Sequence, residues 1–249
     1  MAAAVLVLGA TPGTLAMEEV EFADTAIFFE FNSTDLDLGI QIFFDAEAWE
    51  KVRVAGPGGK IFAVRNGGGL REIGSTEVFT EGAEPALCPE NGEKGECDVD
   101  AAIAEFLSKF PEGTYDFTGK TIERDMLVGD AYLSWDLPTP VEIVDAVGNF
   151  PDVVWVSGTD KGDGAEVVGY EVVVEAVIEE DEEERVLTQV TQVTADVTSI
   201  TTSVEFAAMV AGFEADEVLV EVKVEVLAIG ANGNKTITEE AVFELDSGE

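Results

Sequence analysis

Oxygen-bearing side chains gather in two short polar stretches of this chain, and a hard divalent cation is what such groups can hold. Asn32, Asp35 and Asp37 fall within Asn32-Ser33-Thr34-Asp35-Leu36-Asp37. Asp160, Asp163 and Glu166 fall within and just after Thr159-Asp160-Lys161-Gly162-Asp163-Gly164. Carboxylate and amide oxygens on a flexible loop suit calcium. Neither stretch has the spacing of the twelve-residue calcium loop or its closing bidentate glutamate. The same residues also act as Asx-turn formers that hold a loop's own backbone. Both readings stand on the sequence, and calcium is the one cofactor it suggests.

Other chemistry finds little support. The chain has no histidine, so the usual catalytic triads and histidine-metal centres are absent. Ser134 and Ser157 lack a nucleophile-elbow context. The run from Gly113 to Thr121 ends in Gly119-Lys120-Thr121 and invites a phosphate-loop reading. Its glycines are separated by five residues where the motif needs four, and no strong helix follows to hold a phosphate. A bulged hairpin is expected there. Paired carboxylates can run glycoside hydrolysis, but acids are so common here that their proximity in sequence carries no information. The expectation is a protein without catalysis.

Cys88 and Cys97 bracket the polar, turn-rich segment 89–96. A disulfide is easy across such a loop and stabilises by about 2–3 kcal/mol. Two free thiols are the alternative. Two thiols without histidine make an incomplete zinc shell.

The net charge is −39, from 52 acidic and 13 basic residues. That surface repels phosphate backbones and anionic lipid, which argues against nucleic acid and direct membrane-surface binding. It suits divalent cations, a cationic partner or a salty medium, and it also serves plain solubility. A hydrophobic content of 46% excludes a disordered acidic tail. Residues 1–16 are apolar and rich in small residues, as in a secretory signal peptide. The competing reading keeps Val5-Leu6-Val7-Leu8 as a strand of the mature chain. No later segment has the length of a membrane span.

The elements that must position these groups are strands. Segments 20–31, 39–45, 49–55, 60–65 and 76–80 read as strands separated by turns such as Gly56-Pro57-Gly58-Gly59. Adjacent aromatics from Phe28 to Phe31 must face opposite ways, so one face is covered by a helix or left as a contact surface. Val99, Ile103, Phe106, Leu107 and Phe110 recur at helical spacing, with Asp98 or Asp100 as cap and Pro111 as stop. That predicts one helix over 99–110. Residues 115–117 with 121–123 suggest a hairpin, and 126–137 a further strand or two. Leu137-Pro138-Thr139-Pro140 is a stiff connector and marks a domain boundary.

Beyond it, 169–178 and 217–229 alternate apolar and charged residues with period two, the pattern of half-buried antiparallel strands. With 151–157, 186–193, 198–204 and 235–245, the count approaches that of an immunoglobulin-like sandwich. Residues 179–185 read as an acidic, solvated tip. Trp49, Trp135 and Trp155 are each expected to fill a sheet core.

Residues 138–246 resemble a fibronectin type III domain. Pro140 near the entry, Trp155, Tyr170 and the last hairpin from Val226 to Lys235 carry the likeness. It implies that Trp155 and Tyr170 pack between two sheets. Val222 stands where such domains usually carry a tyrosine in the penultimate strand. Residues 22–138 resemble the N-terminal region of uncharacterised bacterial exported proteins, through Glu30 to Gln41, Trp49, Pro57, Gly59, Glu84-Pro85, Phe110-Pro111-Glu112-Gly113-Thr114-Tyr115, Phe117 and Gly119. That family has no activity to transfer.

The expectation is an all-β protein of two β-sandwich-like domains: an apolar segment 1–16, a first domain 17–137 with one short helix, and a fibronectin type III-like domain 138–249. Its role would be adhesion, scaffolding or protein contact outside the cell, secreted, periplasmic or surface-bound. Its partner would be another protein or another copy, with self-assembly through the apolar N-terminus. A calcium-dependent carbohydrate- or surface-binding module is the alternative.

Overall fold

The computed structural model describes residues 17–88, 97–145, 152–156, 164–180, 183–216 and 218–244. The apolar segment 1–16 and the calcium candidates Asp160 and Asp163 lie outside the described residues. Among the described residues the chain is mostly strand. The first half runs β1 (Glu19–Glu21), β2 (Asp24–Asn32), β3 (Asp37–Gly56), β4 (Gly59–Arg65), α1 (Leu70–Ile73), β5 (Ser75–Glu81), α2 (Val99–Leu107), β6 (Gly113–Thr121) and β7 (Met126–Leu133). The second runs β8 (Glu142–Asp145), β9 (Asp152–Val156), β10 (Val167–Glu180), β11 (Glu183–Thr194), β12 (Ser199–Thr201), α3 (Val204–Ala215), β13 (Leu219–Gly230) and β14 (Lys235–Glu244).

The two strands expected over 39–45 and 49–55 are one strand of 20 residues, β3. Its register slips between Asp45 and Trp49. Before the slip it pairs with β2 and β5; after it, with β4 and β6. One strand thus serves two layers. Closure comes from consecutive amides: Phe22 N–H donates to the Val128 carbonyl of β7 at 3.1 Å, and Ala23 N–H to the Asp45 carbonyl of β3 at 2.8 Å. The sheet therefore wraps around a core in which Phe22, Phe44 and Phe117 meet edge to face, an arrangement worth more than area burial alone. The expected hairpin over 115–123 is displaced: β6 and β7 pair from Gly113↔Leu133 to Lys120↔Met126. Gly113 to Thr121 is thus strand, with no phosphate-binding helix after it.

Helix α2 starts where Asp98 accepts the Ala101 N–H at 3.1 Å, the side-chain cap its sequence predicts. Phe106 and Phe110 each lie 6.2 Å from the Phe29 ring. The helix therefore covers the face of β2 that carries Ile27, Phe29 and Phe31, all buried.

In the second half, β8, β9 and β12 form one sheet, and β14, β13, β10 and β11 lie in the other. Tyr170, Val172, Val174 and Ala176 of β10 and Val222, Val224 and Val226 of β13 are buried between them, as the period-two pattern requires. Trp155 meets Tyr170 edge to face at 5.4 Å. This is the two-layered sandwich implied by the fibronectin-like residues. Strand β8, the short helix α1 of the first half and helix α3 were not foreseen. The strand expected over 198–204 stops at Thr201, because the Ser203 side chain accepts the Phe206 N–H at 3.1 Å and starts α3. Phe206 and Val210, one turn apart, bury that helix on the second core.

The buried apolar residues sort into two clusters, one from Phe22 to Leu133 and one from Val141 to Ala228. The sheet nevertheless runs on between them, since β14 pairs in parallel with β2 at Lys235↔Glu30, Thr236↔Phe31 and Ile237↔Asn32. Asn234, fully buried, fastens the junction. Its Oδ1 accepts the Phe29 N–H at 2.8 Å, and its Nδ2 donates to the carbonyls of Ser134 at 2.9 Å and Asp136 at 2.8 Å. Thr236 Oγ1 donates to the Pro138 carbonyl at 2.7 Å. Trp49 and Trp155 fill the two cores, but Trp135 does not: it is 40% exposed, with its indole N–H bonded to the Phe110 carbonyl at 2.9 Å.

Candidate cation and contact sites

The outer face of β2, β3 and β5 carries a concentration of acid. Cross-strand partners share a face, and the register sets Glu30 opposite Gly39, and Gln41 between Phe28 and Glu81. Glu30, Glu81 and Glu84 each present an oxygen, all within 4.8 Å of one another. Glu84 reaches this spot because position 39 has no side chain: a Cβ on Gly39 would lie 2.6 Å from Glu84 Oε1. Burial pushes the Glu84 carboxyl up to about 7, helped by the charges of Glu81, Asp37 and Glu30. Burial and the charges of Asp35, Glu239 and Glu30 also raise Asp37. Lys235 faces the group: its Nζ lies 3.3 Å from Glu30 Oε2 and 5.4 Å from the centre of the Phe28 ring.

Two neutral or partly buried oxygens at this place have no donor. Gln41 is 1% exposed. Its Nε2 donates to Glu81 Oε1 at 3.1 Å, while its Oε1 is buried without a partner. Asp37 Oδ1 is also buried without a partner. Buried polar atoms are ordinarily satisfied, so the orphaned Gln41 oxygen, on a side chain bonded to Glu81, marks the spot.

Of the residues singled out in the sequence, Asp37 acts on this group through its charge. Asn32 does otherwise: its Oδ1 accepts the N–H groups of Thr34 at 2.9 Å and Asp35 at 3.1 Å, an Asx turn. Its amide also donates to Glu239. Asp35 lies in that turn. Glu166 is exposed, and its carbonyl accepts the Ala231 N–H at 2.7 Å. Cys88 and Cys97 are joined by a disulfide, with Cα atoms 5.8 Å apart.

A second feature has the opposite charge. On the outer face of β4, β3 and β6, Lys51 stands in register between Arg65 and Lys120, with Arg53 two residues along. Lys51, Arg53 and Arg65 line a shallow cleft of about 470 Å³ with Val64, Gly119 and Met126. Glu50 pairs with Arg65 at 2.9 Å. Arg71 and Lys120 act through their charges on the same Glu50, so cations gather here in a chain of −39. The signal was present in the sequence as four basic residues over 51–65, obscured by the total charge.

A third feature is the sheet's margin, which among the described residues no further strand covers. Strand β11 pairs with β10 and ends the strand order. Val186 and Val190 on it are 51% and 55% exposed. Toward β14 the same outer face is laced by Lys223, which pairs with Glu225 at 2.7 Å and Glu239 at 3.1 Å. No helix among the described residues is long and apolar enough to cross a membrane.

No family model and no curated protein matches the chain. Among solved structures, a chain of a 1.5-MDa bacterial ice-binding adhesin is 8% identical over 91% of this chain and 65% of its own, with a TM-score of 0.25. The BSP domain of a biofilm-associated protein is 14% identical over 91% of this chain and 30% of its own, TM-score 0.24. The FN1-FN3 domains of chicken CNTN1 are 13% identical over 92% of this chain and 68% of their own, TM-score 0.29. This chain thus spans less than two thirds of the first two, and at these identities and TM-scores none of the three assigns an activity.

Proposed function

We propose that this is a non-catalytic exported protein, secreted, periplasmic or on the cell surface, that works by protein contact in adhesion or scaffolding. On this reading residues 17–137 and 138–249 are two domains that share one sheet. The observation that carries it is the outer margin of β11, which no other described strand covers. A long strand with an open row of backbone groups and exposed valines accepts another strand. The partner is another protein or a second copy. The cationic face around Lys51 and the acidic remainder orient the approach, since charge complementarity sets encounter and register more than affinity. The disulfide supports an oxidising compartment.

The test is sedimentation of the full chain across a concentration series, beside Val186→Lys and Val190→Lys variants. Lysine on an edge strand blocks strand addition. The reading expects self-association, or binding to a surface partner, that both variants abolish without loss of the folded signal. Association that persists unchanged in both variants rejects the β11 margin as the contact.

A further inference from the structure

We propose that Glu30, Glu81 and Glu84, with the amide oxygen of Gln41, form a binding site for one calcium ion on the outer face of β2, β3 and β5. This site differs from the two loops that the sequence offers, sharing no ligand with them, and it does not rest on the contact role of β11.

Three observations carry it together. The first is convergence: oxygens from β2, from the end of β5 and from the segment after it meet within 4.8 Å, although like charges repel. The second is Gln41. A side chain 1% exposed is tied to Glu81 through one end of its amide, while the other end has no donor. Half a turn of that amide exchanges the two ends and sets Oε1 beside Glu81, where a cation accepts it and a bare carboxylate repels it. The third is Gly39, whose missing side chain leaves the space that Glu84 Oε1 occupies.

The donor set chooses the ion. All the ligands are hard oxygens from carboxylates and an amide, with neither nitrogen nor sulfur, which disfavours zinc. Magnesium demands near-ideal octahedra and keeps its waters, whereas calcium takes six to eight oxygens in flexible geometry. Three carboxylates, each mono- or bidentate, with Gln41 and water reach that number. Lys235 stands at the rim on Glu30 and Phe28 and need not leave. The ion would tie the segment after β5 to the sheet. That segment is already held by Gly82 N–H on the Ile40 carbonyl and Leu87 N–H on the Leu36 carbonyl, and it leads directly to Cys88. The raised Glu84 carboxyl fits the same picture: the group gains from a proton or a cation, so protons compete with calcium near neutral pH.

The experiment is calorimetric titration of the EDTA-treated full chain with calcium chloride at pH 7.5 and fixed ionic strength, with thermal melts in parallel. A dissociation constant on the order of 0.1–1 mM is expected, the range of extracellular modules. At 10 mM calcium the midpoint should rise by about 3–10 °C, and by much less with magnesium. Glu84→Gln should weaken binding tenfold or more. Gly39→Ala keeps every charge and displaces Glu84, and should do the same. Glu205→Gln, the same charge change on α3, should leave affinity intact. Absence of a calcium-specific heat at 10 mM overturns the proposal. So does equal weakening by Glu205→Gln, which would mean a diffuse counterion atmosphere only. Both readouts are taken on dilute, non-associating protein, so failure here is separable from failure of the β11 contact.

Discussion

Replacing Asn234 with alanine should cost about 2–5 kcal/mol of stability, more than any other single polar change at the junction. Asn234 makes three hydrogen bonds to main-chain groups in two different segments. Truncation leaves the Phe29 N–H and the Ser134 carbonyl without their partner in buried surroundings. Each buried orphan costs about 1–3 kcal/mol. The Asp136 carbonyl keeps the Asn232 amide at 2.8 Å, so its loss adds little. For a chain of this size the midpoint of thermal unfolding should fall by roughly 5–15 °C. Asn232→Ala is the control. It gives up one bond to a carbonyl that Asn234 still serves, and a weaker one to the Asn234 N–H at 3.2 Å. Since the Asn234 N–H loses that part-buried partner, the change should cost about 0.5–1.5 kcal/mol. Urea unfolding followed by circular dichroism and by tryptophan fluorescence measures both, since Trp49 and Trp155 lie in separate cores. If Asn234→Ala loses no more than Asn232→Ala, the junction is not held by these bonds.

Three further outcomes follow from particular contacts. Gly56→Ala places a Cβ 2.3 Å from the buried Tyr115 ring, so overpacking should cost about 1–3 kcal/mol in urea titration. The double change Cys88→Ser with Cys97→Ser removes a bond that closes a nine-residue separation, and the loop-closure estimate puts the loss at about 2–3 kcal/mol, read as a shift in urea midpoint. The third is a pH dependence. Glu84 sits at about 7 in the folded chain against an ordinary 4.5, so the folded state binds the extra proton between those values and its stability falls as pH rises through that window. Asp37 and Glu225 are raised too, chiefly by burial, and act in the same direction. Melts from pH 4.5 to 8 should show this decline, flattened in Glu84→Gln; an unchanged slope in that variant would remove Glu84 as its source.

Much of the fold was legible because burial writes a period into strands. Tyr170, Val172, Val174 and Val222, Val224, Val226 alternate with charged or less buried neighbours, and every one is buried. The α2 stripe was nearly as clear: Phe106 meets Phe29 from the helix, which ends at Leu107 and not at 110, and Phe110 meets the same ring from just beyond it. The misses have physical causes. In β3 the register slip near Asp45 looks like a break in sequence, yet an irregular strand still pairs on both sides. In α3 the threonines before Ser203 suggest strand, while one hydroxyl cap and two apolar residues a turn apart suffice for a helix docked on a ready core. Trp135 follows the apolar bias of its type less than the pull of a carbonyl its indole N–H can reach.

The acidic group was less legible, and the reason is register. Glu30, Gln41, Glu81 and Glu84 sit in three segments whose spacing encodes nothing; they meet because Gly39 faces Glu30 and Gln41 faces Glu81. Asn32, Asp35 and Asp37 drew notice as neighbours in sequence, but neighbours in a turn are often drafted to hold that turn, as the Asn32 Oδ1 bonds show. The informative residue was Gly39. In a strand interior a glycine weakens pairing unless something approaches closely, and here the approaching group is a carboxylate of the same chain. A glycine flanked by acids on the outer face of a strand is thus a better guide to convergent oxygens than a run of acids in a loop. Gly39→Ala tests that rule as directly as it tests the site.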